Sequence, residues 1–194
     1  METDRYHALV TAEDARIAAV AAAQFHEHGI TATGVDALSR AARISKRTLY
    51  QRFGSKDGLI VAAYESLDIP VFKMFTAPVE AQTDDPRGQL EAFFVRLEPI
   101  VASPDFRGCP FSNAASELAD PDHPAHAVVR RHKERIRRWL RSRAKAAGAA
   151  NPEQLSRQLM LLFAGVQSQA LLERSGRPAR DASDLARALI DASV

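Results

Sequence analysis

The side chains best suited to bind nucleic acid fall within one short segment, residues 45–56. Its polar members of interest are Ser45, Lys46, Arg47, Thr48, Tyr50, Gln51 and Lys56. Arginine can donate two hydrogen bonds to guanine and glutamine can pair with adenine, whereas lysine and hydroxyl groups commonly bind phosphate. The segment therefore has the groups needed to contact duplex DNA, if the fold presents them on one surface.

The formal net charge of +2 conceals two strongly basic segments. Residues 40–56 contain six basic and no acidic residues, and residues 130–145 contain nine basic residues and one acid. The rest of the chain carries 11 basic and 23 acidic side chains, a net charge of −12. Charge separated in this way can attract a polyanion to one part of a protein. The second basic segment is either a further DNA contact or, as we favour, a solvated helix face.

Helices must position these side chains. Runs rich in Ala, Leu, Arg, Glu and Gln dominate the sequence, and alternating strand patterns are scarce, so we predict an all-α fold. Residues 13–28 form the first predicted helix. Its apolar face consists of Ile17, Val20, Ala21 and Phe25. Gly29 follows in the position of a left-handed C-terminal cap.

Two short helices joined by a tight turn come next. Thr33 is the predicted N-cap of a helix over residues 34–42, and Ser45 is the predicted N-cap of a helix over residues 46–53. This arrangement is a helix-turn-helix, whose second helix can lie in a major groove with its N-terminal residues at the base edges. Leu49 must face the core, which leaves the side chains that follow it facing outward.

A fourth helix is predicted from residue 56, capped by Ser55, to about residue 67. Pro70 and Pro78 predict breaks in the helical pattern beyond it. Spacing alone leaves a second interpretation of the helix pair open, because a solvated basic turn within any helical bundle has the same pattern.

One combined pattern covers residues 15–67. Its positions are Phe25, His28, Gly29, Ile30, Ala32, Thr33, Val35, Leu38, Ala41, Ala42, Ile44, Ser45, Lys46, Thr48, Leu49, Tyr50, Phe53, Ser55, Lys56 and Leu59. With these residues the segment resembles the DNA-binding domain of the TetR family of transcriptional regulators. The resemblance implies that Thr33 bonds a phosphate or caps its helix. It also implies DNA contacts by Ser45, Lys46, Arg47, Tyr50, Gln51 and Lys56.

The resemblance further implies two domains. Residues 1–66 are the expected helix-turn-helix DNA-binding domain, and residues 67–194 are the expected helical domain that binds a small molecule and dimerises. Arg47 and Gln51 differ from the residues common in the family, so an operator sequence cannot be transferred from relatives.

A homodimer is predicted from two C-terminal segments. Residues 152–174 contain a run that is apolar on every face of a helix, which indicates burial on two sides. Residues 183–192 add Leu185, Leu189 and Ile190 on a second face, so two helices from each subunit would form a four-helix interface. The alternative is the central helix of a monomer.

The small-molecule site is predicted to be apolar with few polar groups. Its candidate residues are Phe93, Phe94, Leu97, Cys109, Asn113, Trp139 and Phe163. These residues can equally be plain core. The Gly108-Cys109-Pro110 sequence, with Asn113 and Glu117 four and eight residues after the cysteine, resembles a subset of TetR-type regulators, some of which use a cysteine to sense electrophiles or oxidants. The alternative for Cys109 is a buried side chain that fills a small space.

Several kinds of site are not expected. The histidines lack metal-ligand spacing, and no phosphate-binding glycine loop, nucleophile elbow or carboxylate pair is present, so we predict no metal, no cofactor and no enzyme. No apolar stretch reaches the ~20 residues of a membrane span. Residues 1–16 do not resemble a secretory signal, and a single cysteine suits a reducing cytoplasm.

Together these features predict a cytoplasmic, ligand-responsive regulator. It would act as a repressor that binds palindromic operator DNA as a homodimer and is released by a small molecule. Two alternatives stay open, namely an activator or architectural DNA-binding protein without a ligand, and a small helical enzyme or carrier.

Overall fold

The computed structural model describes residues 11–194, and the regular elements in that range are all helices. In chain order they are α1 (Ala12–His28), α2 (Val35–Ala42), α3 (Lys46–Phe53), α4 (Lys56–Gln82), α5 (Pro86–Val95), α6 (Leu97–Val101), α7 (Pro110–Glu117), α8 (Ala125–Ala146), α9 (Pro152–Glu173) and α10 (Arg177–Asp191). The predicted all-α fold is confirmed. Residues 1–10, which fall in the predicted first domain and in the segment assessed for a secretory signal, lie outside the described residues.

The chain divides into two compact units. The first comprises the described residues up to Pro70 together with Pro110–Arg130, and the second comprises Val71–Cys109 and Arg131–Val194. The boundary expected between residues 66 and 67 falls inside α4, which continues from one unit into the other. The first unit therefore contains α7, a helix that is distant in sequence from α1–α3.

The first helix is held by local capping and by a buried face. The Thr11 hydroxyl accepts a hydrogen bond from the Asp14 N–H, and the Asp14 carboxylate accepts one from the Thr11 N–H. Ile17, Ala21 and Phe25 are buried, which confirms most of the predicted apolar face. This face anchors α1 in the core of the first unit.

The turn after α1 differs from the prediction. Gly29 has φ 88° and ψ 153°, so the expected left-handed helical cap is wrong, although its positive φ still favours glycine. A left-handed cap would use the next N–H to bond a carbonyl of the helix. Here the Ile30 N–H donates instead to the carboxylate of Glu117, 2.6 Å away.

The start of α2 also differs from the prediction. The N-cap is Gly34, with no side-chain hydrogen bond, so the expected cap at Thr33 is wrong. Thr33 is buried, and its hydroxyl donates to the Gly29 carbonyl at 2.6 Å. This hydrogen bond stabilises the turn between α1 and α2.

The fourth helix is much longer than predicted. It runs to Gln82, through both Pro70 and Pro78. A proline inside a helix removes one backbone hydrogen bond. Apolar burial continues beyond the first proline at Phe75 and Val79, which lie one helical turn apart in the core of the second unit. Packing of this face offsets the missing bonds.

An aromatic cluster forms the core of the second unit. The Phe93 ring lies 5.2 Å from the Phe163 ring and 5.5 Å from the Trp139 ring, measured between centroids. Phe75 meets Phe163 edge to face, with 5.1 Å between centroids. The cluster joins side chains of α4, α5, α8 and α9, and it is buried.

The last two helices match the predicted segments in part. α9 begins at Pro152 after the predicted N-cap Asn151, whose side chain accepts from the Gln154 N–H at 3.0 Å. α10 begins at Arg177 rather than residue 183, because Pro178 lies in the first turn, where no N–H partner is needed. Ile190 lies in the core and not on a second face, so that part of the prediction is wrong.

Candidate nucleic-acid interface

A tight turn joins α2 to α3. Arg43 adopts the left-handed conformation, with φ 56° and ψ 43°, and the Ile44 N–H donates to the Ser39 carbonyl at 3.0 Å. Leu38 and Leu49 are buried on the facing sides of the two helices. The predicted helix-turn-helix is therefore present, with the turn at the predicted residues.

Ser45 caps the start of α3 as predicted. Its Oγ accepts a hydrogen bond from the Thr48 N–H at 3.0 Å and lies 2.8 Å from Thr48 Oγ1. The cap fixes the first turn of an eight-residue helix whose N-terminal end carries exposed basic side chains. A helix N-terminus favours an anion through its unpaired N–H groups and its dipole.

Replacing Ser45 by alanine is expected to lower the free energy of unfolding by about 1 kcal/mol, because the Thr48 N–H loses its acceptor. Ser45→Asp supplies another N-cap acceptor and should keep the unfolding free energy, while its negative charge weakens DNA binding. Urea unfolding followed by circular dichroism, with DNA affinity measured in parallel, separates the two effects. A Ser45→Ala protein with the unfolding midpoint of the unsubstituted protein would contradict the capping role.

The outward face of α3 carries Arg47, Tyr50 and Gln51. Buried Leu49 leaves these three side chains exposed, and Tyr50 is 46% accessible. Positions three and four residues apart in a helix share one face. No hydrogen bond or ion pair ties Arg47 or Gln51 to another residue within the described chain. The structure thus groups these predicted DNA-contacting residues on one open surface, and their contacts with DNA stay a prediction.

Lys46 already has an acidic partner. Its Nζ lies 2.6 Å from an Asp36 carboxylate oxygen, and both side chains are more than half exposed. A DNA phosphate must compete with this carboxylate for the ammonium group. Exposed ion pairs stabilise proteins by less than about 1 kcal/mol, so a phosphate can displace Asp36 from Lys46 at little cost in binding free energy.

Asp36→Asn is expected to raise DNA affinity by up to about fivefold, because the pair no longer has to be broken. Lys46 contacts phosphate in either complex, so the logarithmic salt slope should stay unchanged. Fluorescence anisotropy at several salt concentrations measures both quantities. Asp122→Asn removes the same charge from an exposed position on another segment and serves as the control. An identical affinity for the two variants would contradict competition at Lys46.

Two further predicted DNA contacts bond the turn between α1 and α2 in this structure. Lys56 Nζ donates to the Ile30 carbonyl at 2.7 Å, and Thr33 donates to Gly29 as described above. The ammonium group of Lys56 has two more N–H donors that can reach a phosphate. Thr33 has a single hydroxyl proton, so it must release Gly29 before it can donate to DNA.

Residues of α1 that the sequence analysis did not identify hold the helix pair in place. Arg16 Nη2 donates to the Ala42 carbonyl at the end of α2, at 2.8 Å. Arg52 Nη1 donates to Asp14 at 2.6 Å. Hydrogen bonds from the Thr11 hydroxyl, and then from Arg52, lower the pKa of Asp14. No sequence pattern predicted these pairs, because a basic residue near the helix-turn-helix is interpreted first as a DNA contact.

The candidate effector residues fall into two groups. Phe93, Phe94, Leu97, Trp139 and Phe163 belong to one core cluster of the second unit, whereas Asn113 belongs to the first unit. Trp139 Nε1 donates to Glu80 at 2.7 Å, which places one carboxylate beside the rings. The use of this cluster as a ligand site stays a prediction.

Cys109 is buried and has a basic neighbour. Lys133 Nζ donates to Cys109 Sγ at 3.3 Å, and the same ammonium group lies 5.8 Å from the Phe163 ring centroid. The two alternatives for this cysteine, a sensor and a space-filling core residue, both accommodate these contacts.

Three arginines of α8, Arg137, Arg138 and Arg141, pair with acids of their own unit. Glu153 accepts hydrogen bonds from Arg137, Arg141 and Arg157, and Glu134 accepts two from Arg137. The Arg141 hydrogen bond is the main cause of a lowered pKa at Glu153, and the Arg137 hydrogen bond lowers the pKa of Glu134. This pairing favours a solvated helix face over a second DNA contact.

One face of α9 carries leucines that contact water. Leu161 is 74% exposed and Leu172 is 76% exposed, whereas Leu159 and Phe163 on the opposite side are buried. Between the leucines lies Gly165, where an added Cβ would meet no atom within 4 Å. On α10, Leu185 is 56% exposed. One side of α9 is packed as predicted, and burial of the other, open side against a partner subunit stays a prediction.

Residues 11–194 lack two further kinds of site. No helix in that range is long and apolar enough to cross a membrane. The same residues include no group of three or more His, Cys, Asp or Glu side chains that could hold a metal ion.

Comparison with known proteins gives matches over both parts of the chain. Residues 17–63 match the family profile of bacterial regulatory proteins of the tetR family, and residues 86–186 match that of a tetracyclin repressor-like C-terminal domain. No curated protein sequence matched the chain.

Solved structures of the same kind are similar over most of their length. A TetR transcriptional regulator from Streptomyces avermitilis is 32% identical, with a TM-score of 0.77 over 91% of this chain and 98% of that chain. A TetR-family transcriptional regulator from Streptomyces coelicolor is 25% identical, with a TM-score of 0.83 over 93% and 95%. A TetR transcriptional regulator from Chloroflexus aurantiacus, 23% identical with a TM-score of 0.79 over 94% and 96%, shares the fold.

Proposed function

The chain belongs to the TetR family of bacterial regulatory proteins, and from this premise we propose that it is a repressor released from its operator by a small molecule. It is a transcriptional regulator with an N-terminal DNA-binding domain. In the proposal it acts on chromosomal DNA in the cytoplasm as a homodimer. The subset defined by the Gly108-Cys109-Pro110 sequence stays a prediction.

The exposed face of α3 is the observation that carries this proposal. Arg47, Tyr50 and Gln51 lie on it together, next to a capped N-terminus that favours phosphate. Arg47 can bind guanine O6 and N7, and Gln51 can bind adenine N6 and N7. Tyr50 suits a phosphate contact, because bases in a duplex are already stacked and not open to a side-chain ring.

The open face of α9 supports dimerisation. Leu161 and Leu172 are separated by three helical turns, and small Gly165 between them allows a second helix to approach closely. Large apolar side chains exposed on one helix face are unfavourable in water and indicate an interaction site. A second copy of the same face is the natural occupant, because a two-fold interface is self-complementary.

A two-fold dimer determines the form of the operator. Each subunit places its α3 in a major groove, and two such helices bind half-sites about 34 Å apart, or a multiple of that distance. The operator should therefore be a near-palindrome. One α3 alone offers too few base contacts for tight, specific binding.

The effector is proposed to bind the aromatic core of the second unit. Phe93, Trp139 and Phe163 supply apolar surface there, with Glu80 and Lys133 as neighbouring charged groups. An effector that weakens operator binding must itself bind less tightly to the DNA-bound protein, by the same factor.

Selection of bound fragments from the genome of the source bacterium tests the function. The proposal expects a few fragments that share a palindrome, with retention that falls steeply as salt rises. Genes next to these fragments would also indicate the class of effector. Retention of no fragment would favour the small helical enzyme or carrier, and retention without sequence preference would favour an architectural protein.

A further inference from the structure

The segment Pro110–Arg130 belongs to the first unit. The residues on either side of it, Cys109 and Arg131, belong to the second unit. Its helix α7 ends at Glu117, an exposed residue whose carboxylate nevertheless accepts hydrogen bonds. A helix from the C-terminal half of the chain thus supplies a contact to the unit that contains α2 and α3.

The Glu117 carboxylate binds the turn between α1 and α2. Its Oε2 accepts hydrogen bonds from the Ile30 N–H at 2.6 Å and from the Thr31 N–H at 3.2 Å. On the other side of the same residue, Lys56 Nζ donates to the Ile30 carbonyl at 2.7 Å. Hydrogen bonds to charged groups are stronger than neutral ones. The backbone of residue 30 is therefore fixed by an acid and a base together.

The backbone of the turn is shaped to admit this carboxylate. Gly29 has a φ of +88°, and a Cβ at this position would lie 3.0 Å from Glu117 Oε2. The Ile30 side chain is buried, so the turn is also fixed from the core side. Since α2 begins five residues after Ile30, the direction in which α2 leaves the turn depends on these bonds.

We propose that Glu117 is a positioning residue for operator binding. It does not contact DNA; it holds the α1–α2 turn so that α2 and α3 keep the orientation that fits the groove. The inference rests on the proposed DNA-binding function. Without the carboxylate, two backbone N–H groups lose their acceptor and the binding-competent orientation is less populated. Apparent affinity falls in proportion to that population.

The sign of the effect separates positioning from simple charge. Removal of a negative charge from a DNA-binding protein should leave the affinity for DNA unchanged or raise it, because repulsion of the phosphates declines. Positioning predicts the opposite result for Glu117. Asp122→Asn is the matched control, since it removes an exposed carboxylate from the same segment without touching the turn.

Glu117→Ala and Glu117→Gln are to be compared with Asp122→Asn in the full-length protein. Hydrogen exchange is followed by mass spectrometry on peptides that cover residues 26–34, and affinity is measured on a duplex recovered in the genomic selection. Glu117→Ala is expected to exchange faster at residues 30 and 31 only, and to bind the duplex about tenfold more weakly with an unchanged salt slope. Glu117→Gln, which keeps a neutral acceptor, should give a smaller loss.

Three results would overturn the proposal. They are unchanged exchange at residues 30 and 31, faster exchange with unchanged duplex affinity, and faster exchange spread over the core amides of the first unit, which would indicate general destabilisation. If the unsubstituted protein retains no DNA fragment, the proposed function fails by itself. The exchange measurement still reports in that case whether Glu117 holds the turn.

Discussion

Replacing Leu172 by glutamate is expected to convert the protein into a monomer and to weaken operator binding by at least about 100-fold. In a two-fold interface the substitution occurs twice, and burial of each leucine side chain contributes about 1.5–3 kcal/mol. The two new carboxylates must also be removed from water to form the interface. Sedimentation at micromolar concentration should then give the 21.3 kDa monomer in place of a dimer.

Val95→Glu is the matched control for this prediction. Val95 is an exposed apolar residue of α5, so the change adds the same charge outside the open face of α9. The control should stay dimeric and bind the operator normally. A Leu172→Glu protein that remains a dimer with full affinity would show that the subunits associate through another surface.

The helix-turn-helix could be predicted from the sequence because its determinants are local. Ser45 caps α3 through a bond to Thr48, three residues away, and Leu49 is buried one turn after the cap. Such short-range patterns leave few alternatives for the backbone. The apolar residues on both sides of α9 could also be predicted, because its leucines outnumber the positions that one buried face can hold, but what covers the exposed side stays a prediction.

Contacts between residues distant in sequence could not be predicted in the same way. Glu117 and Ile30 are 87 positions apart, and no local pattern marks an exposed glutamate at the end of a helix as the partner of a backbone N–H. The course of α4 through Pro70 likewise depends on packing that only the folded chain supplies. The wrong cap at Thr33 has a local cause instead, since its hydroxyl donates to the Gly29 carbonyl four residues earlier.

Replacing Arg47 by alanine is expected to cost about 1–3 kcal/mol of binding free energy at one base pair and to relax the preference there. Arg47 is the exposed arginine of α3 near its N-terminal end, without a partner among the described residues, and a bidentate contact with guanine gives discrimination of this size. Competition with a set of single-base variants of the operator measures the preference at each position. The loss should be confined to the operator base that Arg47 contacts.

Lys46→Ala is the control that distinguishes loss of a base contact from loss of a phosphate contact. Lys46 lies next to Arg47 and has the same charge, but it is a point donor suited to phosphate. Its removal should weaken binding to all sequences alike and reduce the logarithmic salt slope by about 0.9. Arg47→Ala should leave the base preference at every other position intact. A uniform loss for Arg47→Ala as well would mean that both residues contact phosphate, and base recognition by α3 would then rest on Gln51.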